Sequence, residues 1–522
     1  MFRRLQERLS GLVALAGDGV LQGGGKGIEK ESLRVTADGA ISDKVHPQAL
    51  GSALTHPWIT TDFSEALVEL VTPPFVNSWE TLQFLCDLHQ FVYSRIGDEM
   101  LWATSMPCAV SGDDSIPIAT YGSSNSGRMK HVYRRGLSYR YGRVMQAIAG
   151  VHFNYSLPKQ FWPAYQAIEG AGDRERSFRD STHFDLLRNY RRFGWIILYL
   201  FGASPAVCKS FLRGRSTTLD EWDPWTVYGP WATTLRMSDV GYRNANQSGV
   251  SVSHNDLDAY VDGLDRAIRT PFAPYESIGV QADGEWRQLS ASVLQIENEY
   301  YGFIRPKQPT RSGERPTRAL KSRGVAYVEV RSLDVSPLDP AGVSQNEMRF
   351  LEAFLLFCLL TESPPMDDEE SRACDANHVL VALRGREPGL ELNIGGRSRP
   401  LATWGREIVK QLEPICALLD SGRREASYQA GLQLQAEKLA DPSTTPSARL
   451  LAAMGERESS FFEFARDLSR GYRTYFLELP PIPAERMERF EQEVAESHRR
   501  QQEIESGDDI PFEEFLRRYF VG

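Results

Sequence analysis

Seven glutamates, one histidine and one arginine recur in this chain at two-residue spacing on short, β-prone stretches. Strand side chains point alternately to opposite faces, so residues i and i+2 share a side. The spacing therefore predicts one-sided pairs: Glu29 with Glu31, Glu65 with Glu69, His152 with Asn154, and Glu329 with Arg331. A further stretch, Leu294 to Glu299, would align Gln295, Glu297 and Glu299 in the same way. Any one of these segments alone reads as an ordinary antiparallel strand with a wet face. Together they predict a cation site, because like charges on one sheet face repel unless something positive sits between them. Many oxygen ligands with one imidazole suit magnesium or manganese better than zinc. Of the nine histidines, only His152 is predicted to lie on a polar strand face of this kind; metal ligation competes there with an ordinary hydrogen-bonded sheet histidine.

The elements that would hold these residues alternate irregularly. Strand-like segments are interrupted by helical ones at Glu80 to Arg95 and Ser177 to Leu200, without the regular rhythm of a parallel sheet. An antiparallel sheet with helices on its outer face is the expected architecture. From Gln345 onward the pattern is mainly helical, as in Thr403 to Leu419 and Met487 to Ile504. The Pro-containing break Ser336 to Pro340 sets a soft boundary between residues 1–340, a catalytic sheet region, and 341–522, a mainly helical region packed on it. The glycine cluster Gly23 to Gly27 resembles a phosphate loop but has Val20 and Gly27 where a Walker motif needs Gly and Ser or Thr, so it reads as a flexible lead into the first strand. The segment Arg305 to Arg318 carries five basic residues, one acid and three prolines. It reads as a basic loop, either simply solvated or able to clamp a polyphosphate beside the suspected metals.

A chain of 522 residues can bury a large core, and such a length would ordinarily imply two to four domains. Composition is that of a soluble globular protein, 41% hydrophobic and 25% charged, and the net charge of -10 argues against a binder that works by neutralising nucleic-acid phosphates. The longest apolar run, Phe193 to Val207, is broken by glycine and proline and too short to span a bilayer. The amino terminus is a charged amphipathic helix rather than a secretory signal, so a cytoplasmic location is expected, and nothing in the sequence demands an oligomer. Six cysteines without CxxC spacing read as reduced, mostly buried thiols.

The stretches Gly27 to Val35, Thr60 to Glu69, Gly150 to Pro158, Gln295 to Glu299 and Tyr327 to Asp334 resemble, in sequence and in order, the proteobacterial type of glutamate-cysteine ligase, from about residue 22 to about residue 365. The resemblance implies an α+β fold related to glutamine synthetase, with a curved antiparallel sheet forming a funnel above metal ions. It implies ATP-dependent joining of the L-glutamate γ-carboxylate to L-cysteine through an acyl phosphate, the first step of glutathione synthesis. Metals would be held by Glu29, Glu31, Glu69, His152 and Glu329, while Arg331 and Lys307 would neutralise the moving phosphoryl group. Arg236 and Arg134 would contact the glutamate moiety or the developing phosphate, and Tyr133, Leu137, Gln146, Tyr242 and Tyr301 would line the pocket for the cysteine side chain. Tyr301 is chosen over its neighbour Tyr300 by counting back from Ile304. Two alternatives stand beside this reading: a ligase of the same fold that takes another amine, and a noncatalytic relative that binds glutamate or nucleotide as a regulator.

Overall fold

The computed structural model describes residues 2–172, 175–241, 252–311 and 313–521. Its principal sheet has seven strands: β1 (Gly25–Val35), β2 (Ile59–Thr61), β3 (Leu67–Val71), β4 (Met100–Leu101), β5 (Gly150–Ser156), β6 (Ile304–Lys307) and β7 (Tyr327–Asp334). The order is β6-β7-β5-β1-β3-β2, with β4 paired to the end of β1, and every pairing is antiparallel. Register aligns the charged residues across strands. Glu29 lies opposite His152, Glu31 opposite Glu69, and Glu329 between Asn154 on one side and Arg305 on the other. Between Val330 and Leu333 a β-bulge sets two residues of β7, Arg331 and Ser332, against His152 alone, a device that re-aims side chains beside functional sites.

Helices that bear on the sheet and the cleft are α1 (Arg3–Ala16), α2 (Ser78–Tyr93), α3 (Asn125–Tyr141), α4 (Glu175–Phe193), α5 (Pro316–Arg323), α6 (Gln345–Leu360), α7 (Asp368–Arg384), α8 (Leu401–Asp420), α9 (Ser427–Ala440), α10 (Phe461–Glu478), α11 (Ala484–Ser506) and α12 (Phe512–Val521). The central helix is α6, started by a Ser344/Glu347 capping box and buried over almost its whole length. It packs on α4, α8 and α9 and touches β5, so its continuous apolar surface is satisfied on all sides. Helix α11 closes the other flank by setting Phe490 among Trp58, Phe84 and Phe91.

Several segments differ from the sequence-based expectation. Ser177 to Leu200 is two helices rather than one, separated at Gly194. Leu294 to Glu299 is not a strand: Glu297–Glu299 forms a 3-10 turn, because no neighbouring strand offers it a ladder and its polar side chains are hydrogen-bonded to helices. Nor is Arg305 to Arg318 simply a loop. Ile304–Lys307 pairs as the edge strand, where Pro306 is tolerated, and Pro316 opens α5 at a position where its missing N–H costs nothing. Glu65 precedes β3 and accepts hydrogen bonds from Thr120 and the His46 backbone instead of sharing a strand face with Glu69. The glycine cluster is no flexible lead, since Gly25 and Gly27 belong to β1 itself. Finally, Cys108 and Cys208 are joined by a disulfide across 100 residues of sequence, which spacing alone could not reveal; Cys86, Cys358, Cys374 and Cys416 are free.

Candidate active site

Thirteen of the fourteen residues singled out from sequence border one cavity of about 540 Å³ over the charged face of the sheet; the fourteenth, Tyr242, lies outside the described residues. At its base, β1, β5 and β7 bring Glu29, His152 and Glu329 together, with one potential ligand atom of each lying within 4.8 Å of the others. His152 Nδ1 is 3.0 Å from Glu29 Oε2, and Asn154 Nδ2 donates to Glu29 Oε1 at 2.9 Å. Lys307 and Arg331 both donate to Glu329, at 3.0 and 3.1 Å. The other carboxylates continue along the same face. Glu31 lies 3.9 Å from His152 Nε2 and accepts from the Gly150 N–H at 2.7 Å, and Glu69 lies across from Glu31.

This packing divides the carboxylates electrostatically. Burial pushes Glu329 up, but the charges of Lys307, Arg331, His152 and Arg305 outweigh it and hold the carboxylate well below its ordinary range. Burial and the charge of Glu329 also push Glu29 up, yet the hydrogen bond and charge of His152, with help from Lys307, leave it lowered. Glu69 goes the other way: burial, then the charges of Glu29, Asp62 and Glu31, raise it well above its ordinary value. Glu31 is likewise raised, by burial and by Asp62. A divalent cation among these groups would relieve the repulsion that raises Glu31 and Glu69, and the donor set of carboxylate oxygens with one imidazole fits magnesium or manganese.

Arginines and aromatics form the walls. Arg236 sits in a 3-10 turn, donating to the Arg331 carbonyl at 3.1 Å with Asp334 3.7 Å away. It lies so close over β5 that a Cβ on Gly150 would come within 2.1 Å of its guanidinium, so any larger residue there would displace Arg236. Arg134 donates to the Asp62 carbonyl and stacks 4.6 Å over the Tyr121 ring. Both members of the tyrosine doublet border the cavity: Tyr301 donates to Met237 Sδ at 3.4 Å, and Tyr300 stands beside it.

Sequence reading missed Asp62, Lys130 and Tyr141, and set aside Tyr300 in favour of Tyr301; all four line the cavity. Two of them were detectable. Lys130, Tyr133, Arg134, Leu137 and Tyr141 follow helical spacing along α3, a stripe that places Lys130 and Tyr141 beside the three residues already chosen. Burial, with Arg134 nearby, lowers the Lys130 amine to about 8. Asp62 follows the short strand β2 and carries no periodic signal. Conversely, Glu297 does not border the cavity; its Oε1 accepts from Arg315 and Thr317 at 2.8 and 2.6 Å. Glu299 does border it, but is tied to Arg140, Tyr141 and the Gln295 N–H.

Residues 10–381 match the family model described as glutamate-cysteine ligase. Among curated relatives, the glutamate–cysteine ligase of Azotobacter vinelandii is 50% identical over 496 residues, 94% of this chain and 93% of the relative. That of Pseudomonas aeruginosa strain PAO1 is 48% identical over 493 residues, again 94% and 93%. A solved glutamate–cysteine ligase from Francisella tularensis, in complex with AMP, superposes with a TM-score of 0.90 at 36% identity, covering 96% of this chain and 98% of its own. A bifunctional glutathione synthetase from Pasteurella multocida shares the fold, with a TM-score of 0.71 at 24% identity over 90% of this chain and 54% of that one.

Proposed function

The chain belongs to the glutamate-cysteine ligase family, and on that premise we propose that the carboxylate-lined cavity is where it performs the family's reaction. The enzyme joins L-glutamate, through its γ-carboxylate, to L-cysteine at the expense of ATP, giving γ-glutamylcysteine, ADP and phosphate in the first step of glutathione biosynthesis. One observation carries the assignment of the site: Glu29, His152 and Glu329 bring ligand atoms within 4.8 Å of one another, with Lys307 and Arg331 on the same Glu329 carboxylate, inside the cavity of about 540 Å³ over the sheet. We read that sheet as the curved funnel of a glutamine synthetase-like fold. Residues 1–340 are read as the catalytic region and 341–522 as the helical region packed on it.

Glu29, Glu31, Glu69, His152 and Glu329 would hold magnesium, with manganese a possible substitute. Such an ion supplies positive charge where ATP phosphates meet the substrate carboxylate, two groups that otherwise repel. The chain's own residues do the rest. Lys307 and Arg331 neutralise charge on the transferring phosphoryl group, and their shared partner Glu329 keeps both aimed at one place. Arg236 and Arg134 orient the glutamate moiety, their guanidinium groups fixed by backbone carbonyls. The product of the first step is γ-glutamyl phosphate. The cysteine amine then attacks its carbonyl and phosphate leaves, while Tyr133, Leu137, Gln146 and Tyr301 wall the thiol side and keep out water that would hydrolyse the intermediate.

The test is ADP release with magnesium, ATP and glutamate, comparing L-cysteine with L-serine, L-2-aminobutyrate, ammonia and no amine, and weighing the product by mass spectrometry. Preferred formation of γ-glutamylcysteine is the expected result. Turnover with a different amine would keep the phosphorylation site and overturn the assigned thiol pocket.

A further inference from the structure

Helix α12 lies beyond the segment matched by the family model, yet Phe515 and Tyr519 from it border the cavity. It does not rest on the main core. Phe512 and Leu516 are each 5% exposed and pack in a small separate cluster with Val132 of α3, Leu289 and Ile296, and Met129, Tyr133, Phe515 and Tyr519 lie against it. The same cluster therefore contacts Tyr133, an aromatic assigned above to the thiol side of the pocket.

Polar contacts fix the register of this helix on α3. Asp508, just before α12, accepts from the Asn125 N–H, and the Asn125 side chain donates to the Ile510 carbonyl at 2.9 Å. The Arg128 guanidinium lies 4.5 Å over the Phe512 ring, and Trp286 meets the same ring edge-on at 5.2 Å. One turn farther along the same face, α3 is held by Gln295, whose amide donates to the Tyr133 carbonyl at 3.1 Å. Approach there is close enough that a Cβ on Gly136 would come within 2.1 Å of Gln295 Oε1. This face of α3 is thus held jointly by α12 and Gln295.

We propose that α12 is a positioning element for the acceptor amino acid: through Phe515 and Tyr519 it holds Tyr133 in place and so sets how well cysteine is bound. The proposal rests on the assignment of Tyr133 to the acceptor pocket. Arg134, the glutamate-side arginine on the same helix, is anchored separately on the Asp62 carbonyl, so the effect falls chiefly on cysteine. Small displacements of a positioning group cost binding steeply, because a close-fitting wall discriminates small ligands by contact.

The experiment measures kcat and separate KM values for cysteine, glutamate and ATP in the full chain, for Phe515→Ala, Phe515→Leu, Tyr519→Ala and Tyr133→Ala, with thermal melting as the folding control. The expected result is an increase of about tenfold in the cysteine KM for Phe515→Ala and Tyr519→Ala, with glutamate and ATP KM values and the melting temperature close to the parent, and substantial rescue in Phe515→Leu. If Tyr133→Ala raises the cysteine KM and the α12 variants do not, the proposal is overturned while the pocket assignment stands. If the α12 variants raise the cysteine KM and Tyr133→Ala does not, the pocket assignment fails and the route through Tyr133 fails with it. A general loss of kcat and stability without a shift in cysteine KM would reduce α12 to packing and also overturn the proposal.

Discussion

Glu329 is the side chain on which the cavity's cations converge, and it is 1% exposed. Its substitution separates charge from shape. Glu329→Gln keeps the volume and one acceptor but removes the charge that Lys307 and Arg331 share, so ATP turnover should fall by roughly two orders of magnitude or more. Circular dichroism should show an unchanged fold; near-parental turnover would remove Glu329 from the phosphoryl-transfer machinery. Tyr301→Ala makes a different demand. It should raise the cysteine KM while leaving glutamate-dependent ADP formation largely in place, and an unchanged cysteine KM would shift the pocket aromatic to Tyr300, the other ring at the wall. At this scale the sequence was legible where strand alternation and motif coincide, as at Glu29, His152 and Glu329. It was illegible at Asp62, which stands outside any period, whereas Lys130 is legible once α3 is read as a helical stripe.

The strand β1 shows why one face was easier to read than the other. Its cleft side carries Glu29 and Glu31, whereas its opposite side carries Lys26, Lys30 and Arg34, all buried. A cation on a strand ordinarily signals solvent, yet here Lys26 is ion-paired with Glu352 at 2.9 Å and Arg34 with Glu99 at 2.7 Å. Those partners are 326 and 65 residues away in sequence, beyond any local pattern. The Lys26–Glu352 pair joins the sheet to α6, and both side chains are 1% exposed. Removing one partner strands a buried charge, so Glu352→Gln should cost about 3–5 kcal/mol in urea unfolding. The double variant Lys26→Met/Glu352→Met should recover much of that loss, and a double variant as unstable as the single one would show that the ion pair is not the source. The 3-10 turn at Glu297 teaches the converse lesson: alternating polar residues suggested a strand, but without a neighbouring ladder the segment turns so that Glu297 meets Thr317 and Glu299 meets Arg140, partners distant in sequence.

Across the whole molecule, buried histidines tie stability to pH. Burial lowers His183 and His378 to about 4 and, with neighbouring cations, His56 to about 4 as well. In the unfolded chain these groups bind protons near 6.5. Between 6.5 and 4 the unfolded state therefore holds more protons than the native one, and the stability present above 6.5 is lost as pH falls. Each such group contributes about 1.4 kcal/mol per pH unit over that window. Glu347, raised to about 7 by burial and by Asp339, acts in the opposite direction, so a single variant isolates one contribution. The urea midpoint of His378→Gln should fall less between pH 6.5 and 5 than that of the parent; equal slopes would mean that His378 takes up its proton in the folded state. The separate layer of helices around the sheet was broadly legible from hydrophobic periodicity, but the link between Cys108 and Cys208 was not, since proximity across 100 residues is a property of the finished fold. That link turns the chain between them into a closed ring that contains α3, β5 and α4. A protease that severs one peptide bond inside the ring opens it without releasing anything: the two halves travel as a single band until a reductant parts them.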